Sequence, residues 1–228
     1  MKKLSISLNK VEAILGVIYI FIQLLILPII VELVNLFFRL SLSEVELNFI
    51  CFAINFISIT VIFRNFLVES TKCALHEPFS ILKTVGIGLI LYFASSMVVS
   101  FLILYLDPEF SNANDNNIAG MLDDNYVLMA VSVILLAPIT EEILYRSVMF
   151  GLIYKKHPIF AFVITAVIFS ALHVVGYIKR YPPMRLLLCF FQYLPPSIVL
   201  AWTYIKADNI WSPILVHTII NTLGILSM

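Results

Sequence analysis

Seven apolar runs of about twenty residues or more recur along the chain, and they decide the solvent in which it can fold. They cover about 11–38, 46–68, 84–106, 126–151, 158–178, 184–205 and 209–227. A helix rises about 1.5 Å per residue, so roughly 20 residues cross the hydrocarbon core of a bilayer. Lipid offers backbone groups no partner, and continuous runs of this kind satisfy them by becoming helices. Composition agrees, with 61% of residues hydrophobic and 12% charged, against about 45–50% and about 25% in soluble domains. The sequence therefore predicts an all-α, polytopic transmembrane helix bundle of about seven spans. The first run is too long for a cleavable signal peptide, and no small-residue cleavage site follows it.

Several function classes drop out early. Lys+Arg and Asp+Glu are both 14, so no basic surplus points to nucleic acid. Cys51, Cys73 and Cys189 are scattered, without the spacing of a disulfide framework or a zinc site. His76-Glu77 runs into Pro78, so no HExxH helix begins there.

Positive charge favours the cytoplasmic side of a membrane. Lys2, Lys3 and Lys10 put the amino terminus there, and Arg64, Lys72, Lys83, Lys155 and Lys156 fall on the same side. Segment 107–125 falls outside; it carries Asp107, Glu109, Asp115, Asp123 and Asp124 and no Lys or Arg. The expected location is the cell membrane, multi-pass, with a cytoplasmic amino terminus. Lys179, Arg180 and Arg185 run against this pattern. The run 184–205 also contains Gln192 and Pro195-Pro196, which predicts a broken or re-entrant element there.

Ionisable groups inside spans are costly, and their default reading is functional. They cluster late. The fourth run, VLMAVSVILLAPITEEILYRSVMFGLI, holds Glu141, Glu142 and Arg146; the fifth holds Phe169 and His173; the seventh holds His217 and Asn221. Residues four apart share a helix face, so Glu142 pairs with Arg146, Phe169 stacks on His173, and His217 and Asn221 face one way. Glu141 points about 100° away from Glu142. One carboxylate is thus neutralised while the other stays free, the division that acid/base chemistry needs. Pro138 opens the backbone near Glu141 to water. Each feature alone also reads as interhelical glue; jointly, three helices each bring reactive side chains to a chain poor in buried charge. Glu12, Gln23 and Glu32 read as helix-end or packing residues.

Glu141-Glu142-x-x-x-Arg146, then Phe169-x-x-x-His173, then His217-x-x-x-Asn221 resemble, in that order, the motifs of the CAAX-protease and bacteriocin-processing family. This is also called the Abi family and includes the type II CAAX prenyl endopeptidases. The resemblance covers about residues 125–225, dividing the chain into amino-terminal membrane helices (1–124) and a protease-like domain (125–228). The layout, including VIYIFIQLLILPIIV in the first span, is similar to bacterial members acting on peptide pheromones. The resemblance implies an intramembrane endopeptidase for membrane-associated peptide or protein substrates such as pheromone or bacteriocin precursors. It implies that Glu141 activates water, that Glu142 and Arg146 complete its motif, that His173 holds or activates the water, and that His217 and Asn221 stabilise the oxyanion. It leaves the cofactor open between none and a divalent metal such as zinc on Glu141, His173 and His217.

Two other classes remain. One is a non-catalytic membrane partner that regulates a sensor kinase or confers bacteriocin self-immunity. The other is a small transporter with a Glu/His proton relay, for which no repeat is visible. Depth poses a difficulty for a shared site: counted from the inner ends of these runs, Glu141 lies about 15 Å in, His217 about 12 Å and His173 about 22 Å.

Overall fold

In a computed structural model the described residues, 4–228, are helical with short connections. Lys2 and Lys3, which entered the orientation argument, lie outside the described residues. In chain order the helices are α1 (Lys10–Phe38), α2 (Glu44–Ile62), α3 (Arg64–His76), α4 (Pro78–Leu106), α5 (Ala113–Asp124), α6 (Tyr126–Tyr154), α7 (Pro158–Val175), α8 (Pro183–Ala207) and α9 (Trp211–Ser227). Six of these, α1, α2, α4, α6, α7 and α8, are long and apolar enough to cross a membrane; α9 is apolar but has 17 residues. Large apolar side chains such as Ile14, Leu36, Phe37, Ile90 and Phe101 point outward, where a bilayer replaces water.

Two expectations are corrected. The run 46–68 is not one helix. It turns at Phe63 (φ −100°, ψ 20°) into α3, which buries Phe66 and Ser70 and exposes Arg64, Glu69 and Lys72. This amphipathic pattern ends the apolar span. The break expected over 184–205 is also absent, because α8 runs unbroken for 25 residues through Pro195 and Pro196. Two prolines remove two N–H donors, whereas an unwound segment would strand many more backbone groups away from water. Buried Leu188, Cys189, Val199, Leu200 and Ala201 hold α8 on both sides of the pair.

Polar caps set the register of one end of the bundle. Asn9 and Glu12 form a capping box on α1. Glu12 is buried, and its second oxygen accepts from Phe66 N–H at 3.1 Å, tying the α2–α3 corner to the start of α1. At the same end, Ser5 N–H donates to Asp208 at 2.9 Å, Asn209 Nδ2 to Ser70 O at 2.8 Å, and Trp211 Nε1 to Thr71 Oγ1 at 3.0 Å. The largest apolar cluster fills this end, with Ile59, Phe63, Ile143, Leu144, Val148, Phe150 and Ile210 all fully buried. The opposite end is polar and hollow. There α5 lies across the bundle, with Asn112 Nδ2 bonded to Gln192 Oε1 at 2.8 Å and Asn114 Nδ2 to Tyr193 Oη at 3.1 Å.

Gly88 lets α4 approach the helices that carry site residues. A Cβ there would lie 2.5 Å from Thr203 Cγ2 on α8 and 3.2 Å from Val216 Cγ2, next to His217 on α9. At Gly86, one turn-half away, nothing lies within 4 Å of the same position. Gly88→Val is therefore expected to destabilise the bundle by about 1–3 kcal/mol through overpacking, while Gly86→Val changes little. Thermal unfolding of the two detergent-solubilised variants checks the contrast.

Candidate active site

The site begins with a proline. Residues Ser132–Leu136 of α6 form a π segment, in which Ala137 N–H reaches back five residues to Ser132 O. The next N–H in that register belongs to position 138 and would meet Val133 O, but Pro138 has none. Asn221 Nδ2 on α9 donates to Val133 O at 2.8 Å instead. The backbone opening expected at Pro138 therefore exists, and a side chain fills it. One of Asn221's two amide hydrogens is used in this way.

Beyond the proline, Glu142 and Arg146 are both fully buried. Arg146 Nε donates to Glu142 Oε2 at 2.9 Å, and His217 Nδ1 lies 2.9 Å from Glu142 Oε1. Both carboxylate oxygens are thus committed. Arg146 Nη1 also reaches Ser197 Oγ at 3.4 Å, and its guanidinium sits 4.9 Å from the centre of the Phe169 ring. An arginine under an aromatic face and against a carboxylate satisfies a buried charge from two directions. Glu142 and Arg146 sit behind the cavity as a fixed wall, with His217 hung on it.

Phe169 is the hub of the site. His173 stacks on it at 4.4 Å, Tyr145 meets it edge-on at 5.7 Å, and the His217 ring lies 6.3 Å away. Tyr193 covers the other side of His173 at 4.3 Å. His173 Nδ1 lies 2.8 Å from Phe169 O. A carbonyl only accepts, so Nδ1 carries the proton and Nε2 keeps its lone pair.

Glu141 is treated differently from its neighbour. Its Oε2 is buried without a hydrogen-bond partner. It lines a cavity of about 470 Å³ together with Tyr145, His173, His217 and Asn221. Glu141, His173, His217 and Asn221 are therefore brought to one cavity, and Glu142 and Arg146 stand directly behind it. The depth conflict largely disappears once the helix ends are known. Counted from the short turn that joins α6 to α7, Glu141 lies about 20 Å along one helix and His173 about 22 Å along the other.

Glu141, His173 and His217 share the cavity without converging as metal ligands; among the described residues no group of three or more His, Cys, Asp or Glu side chains does so. As arranged, the set does not fit a three-ligand metal centre.

Sequence reasoning missed Ser197, which Arg146 reaches, and several residues that line the cavity: Tyr145, Tyr193, and the polar mouth of Asn112, Asn114, Asp115, Tyr177 and Gln192. Tyr177 Oη donates to Asn114 Oδ1 at 3.1 Å, and Tyr193 Oη lies 3.4 Å from Asp115. Burial raises the Asp115 carboxyl above its usual range, and the Tyr193 hydroxyl partly opposes this. One available signal was the helix-start pattern Asn112-x-x-Asp115, in which Asn112 Oδ1 caps Asn114 and Asp115. The other was two adjacent polar side chains, Gln192 and Tyr193, in an apolar run.

The Asn221–Val133 bond yields a thermodynamic test. Asn221→Ala leaves the Val133 carbonyl without this bond and is expected to cost about 1–3 kcal/mol. Pro138→Ala, added to it, restores an N–H for that carbonyl and is expected to recover most of the loss. Thermal unfolding of the two single variants and the double variant measures the coupling; strictly additive effects contradict the assignment.

Comparison with known proteins bears on the same segment. Residues 123–223 match the family model described as type II CAAX prenyl endopeptidase Rce1-like. The chain is 28% identical over 132 residues to "UPF0177 protein YxdF" of Lactococcus lactis subsp. lactis (strain IL1403), covering 58% of this chain and 68% of that protein. It is 31% identical over 97 residues to "Putative membrane peptidase YdiL" of Bacillus subtilis (strain 168), covering 42% of this chain. The chain spans only 35% of YdiL. No solved structure matches. Residues 123–223 are thus similar to the Rce1-like type II CAAX prenyl endopeptidase family.

Proposed function

We propose that the chain is an intramembrane endopeptidase in which Glu141 activates water without a metal. One observation carries this reading: a buried Glu141 carboxylate oxygen with no partner shares a cavity with the free Nε2 of His173. A water between them donates one hydrogen to Glu141 and the other to His173 Nε2. Glu141 takes the water's proton as the oxygen bonds to the scissile carbonyl carbon. The carbonyl π electrons move onto its oxygen, which faces His217. When the tetrahedral species collapses, the C–N bond breaks and Glu141 returns the proton to the leaving amine. General base catalysis of this kind contributes about 10²–10⁴ in rate.

The oxyanion falls to the α9 side of the cavity. Glu142 accepts from His217 Nδ1, which orients the ring and balances charge on it, as a carboxylate does for a catalytic histidine elsewhere. Asn221 keeps one amide hydrogen after bonding Val133 O, and that hydrogen is available to the oxyanion. A single oxyanion donor is worth about 10²–10³ in rate.

On this reading the chemistry belongs to residues 125–228, while residues 1–124 supply packing and part of the cavity mouth. The amino terminus is cytoplasmic, on the charge pattern of Lys10, Arg64, Lys72, Lys83, Lys155 and Lys156. The substrates are membrane-associated peptides of the pheromone- or bacteriocin-precursor type, or other membrane proteins.

The test is processing of co-expressed precursor peptides in membranes, with protein abundance measured alongside. Glu141→Gln and His173→Ala are expected to lower processing by about 10²-fold or more at normal abundance, and exhaustive chelation is expected to leave the parent protein active. Glu141→Gln indistinguishable from the parent would sink the peptidase reading and favour a non-catalytic partner of a sensor kinase or an immunity protein. Loss on chelation with recovery on adding zinc would return the metal version.

A further inference from the structure

The polar lining of the cavity gathers toward one end of the bundle, and the charge pattern says on which side of the membrane that end lies. From Glu141 toward Tyr154, α6 buries Ile143, Leu144, Val148, Phe150 and Tyr154 in the main apolar cluster. Glu142 and Arg146 seal the same direction. In the opposite direction the cavity is lined by the polar side chains of Asn48, Asn114, Asp115, Asn117 and Gln192. These groups hold water well, so the solvent that supplies the reaction enters from their end.

The sealed end carries Lys10, Arg64, Lys72, Lys83, Lys155, Lys156 and Lys206, against Arg39, Lys179, Arg180 and Arg185 at the mouth end, where the 107–125 segment itself has no Lys or Arg. Hydrogen bonds fix which segments share an end. Ser5 bonds Asp208, and Asn209 bonds Ser70, at the sealed end. Asn112 bonds Gln192, and Tyr177 bonds Asn114, at the mouth. The excess of basic residues marks the sealed end as cytoplasmic.

We infer that the cavity opens on the non-cytoplasmic face of the membrane. Its substrates are then peptide segments presented on that face, by export or by a membrane anchor, and not chain ends on the cytoplasmic side. This rests on the peptidase reading above and adds a direction to it. It also sets a reach. Glu141 lies fifteen residues along α6 from Tyr126 at the mouth, about 22 Å. An extended peptide covers that distance with about seven residues. The bond cleaved therefore lies about seven residues inside the point where the peptide enters beneath α5.

Two measurements on the full-length protein separate this inference from the peptidase reading. In a background with Cys51, Cys73 and Cys189 replaced by Ala, Asn117→Cys lines the cavity mouth and Lys156→Cys sits exposed at the sealed end. A membrane-impermeant maleimide is expected to label Asn117→Cys in intact cells, and Lys156→Cys only after permeabilisation. The reverse pattern overturns the inference. A failure of Asn117→Cys to label before permeabilisation, with Lys156→Cys labelled in intact cells or not, does the same. The second measurement uses a precursor peptide fused to a single transmembrane anchor, with its cleavable segment outside in one fusion and cytoplasmic in the other. Loss of cleavage for the cytoplasmic fusion, with Glu141-dependent cleavage of the outer one, is the expected result. Glu141-dependent cleavage of the cytoplasmic fusion overturns the direction and keeps the peptidase. Cleavage of neither counts against the peptidase, and the labelling result then decides the direction of the opening.

Discussion

The structure depends on how one buried carboxylate is satisfied. Glu142 sits in the interior of a membrane bundle and has lost all its water. It is tolerable there because Arg146 takes one oxygen and His217 takes the other. Those two bonds do more than neutralise charge. Arg146 is one turn along the same helix, so it stiffens α6 at this depth. His217 comes from α9, so the second bond pins the last helix against the fourth span. Phe169 completes the arrangement by placing its ring beneath the guanidinium and beside His173. Removing Arg146 or Glu142 would leave the other as an uncompensated charge in an apolar interior, and the fault would spread to three helices.

Glu141 differs because no partner is provided for it. Successive residues on a helix point about 100° apart. The neighbour of a fully paired glutamate is thereby turned into the cavity, with one oxygen unpartnered. The same sequence unit thus produces one carboxylate with both oxygens bonded and one with an oxygen left bare, and the helix geometry separates them. Two further devices keep this geometry in place. Pro138 and the π segment before it distort α6 on the approach to Glu141, and Asn221 takes the carbonyl that the distortion frees. Gly88 lets α4 press against α8 and α9, close to His217.

Much of this was legible in the sequence, for identifiable reasons. Apolar runs must become helices in lipid, so the fold class followed from length and hydropathy. The Glu142–Arg146 and Phe169–His173 pairs lie within one turn of helix, where spacing alone determines contact. The Glu142–His217 bond joins residues 75 positions apart, and no local rule reaches that far. The same holds for Asn221, whose partner is a backbone carbonyl with no side-chain signature. Pro195-Pro196 misled because proline rules come from helices in water, where unwinding costs little; in α8 the lack of water keeps the helix whole. The mouth was hidden for a different reason. Asn112, Asn114 and Asp115 have the composition of an outer loop, and only packing against Gln192 and Tyr193 turns them into a wall of the cavity.

The central claim is that two adjacent glutamates are divided between structure and chemistry by their partners. Parallel thermal unfolding of detergent-solubilised Glu141→Gln and Glu142→Gln tests it most directly. Glu141→Gln is expected to unfold at or above the temperature of the parent, since it removes the charge from a carboxylate whose buried Oε2 has no hydrogen-bond partner. Glu142→Gln is expected to lose about 3 kcal/mol or more, since it leaves Arg146 without its counter-charge. Equal losses in the two variants, or a stable Glu142→Gln beside a destabilised Glu141→Gln, would contradict the account.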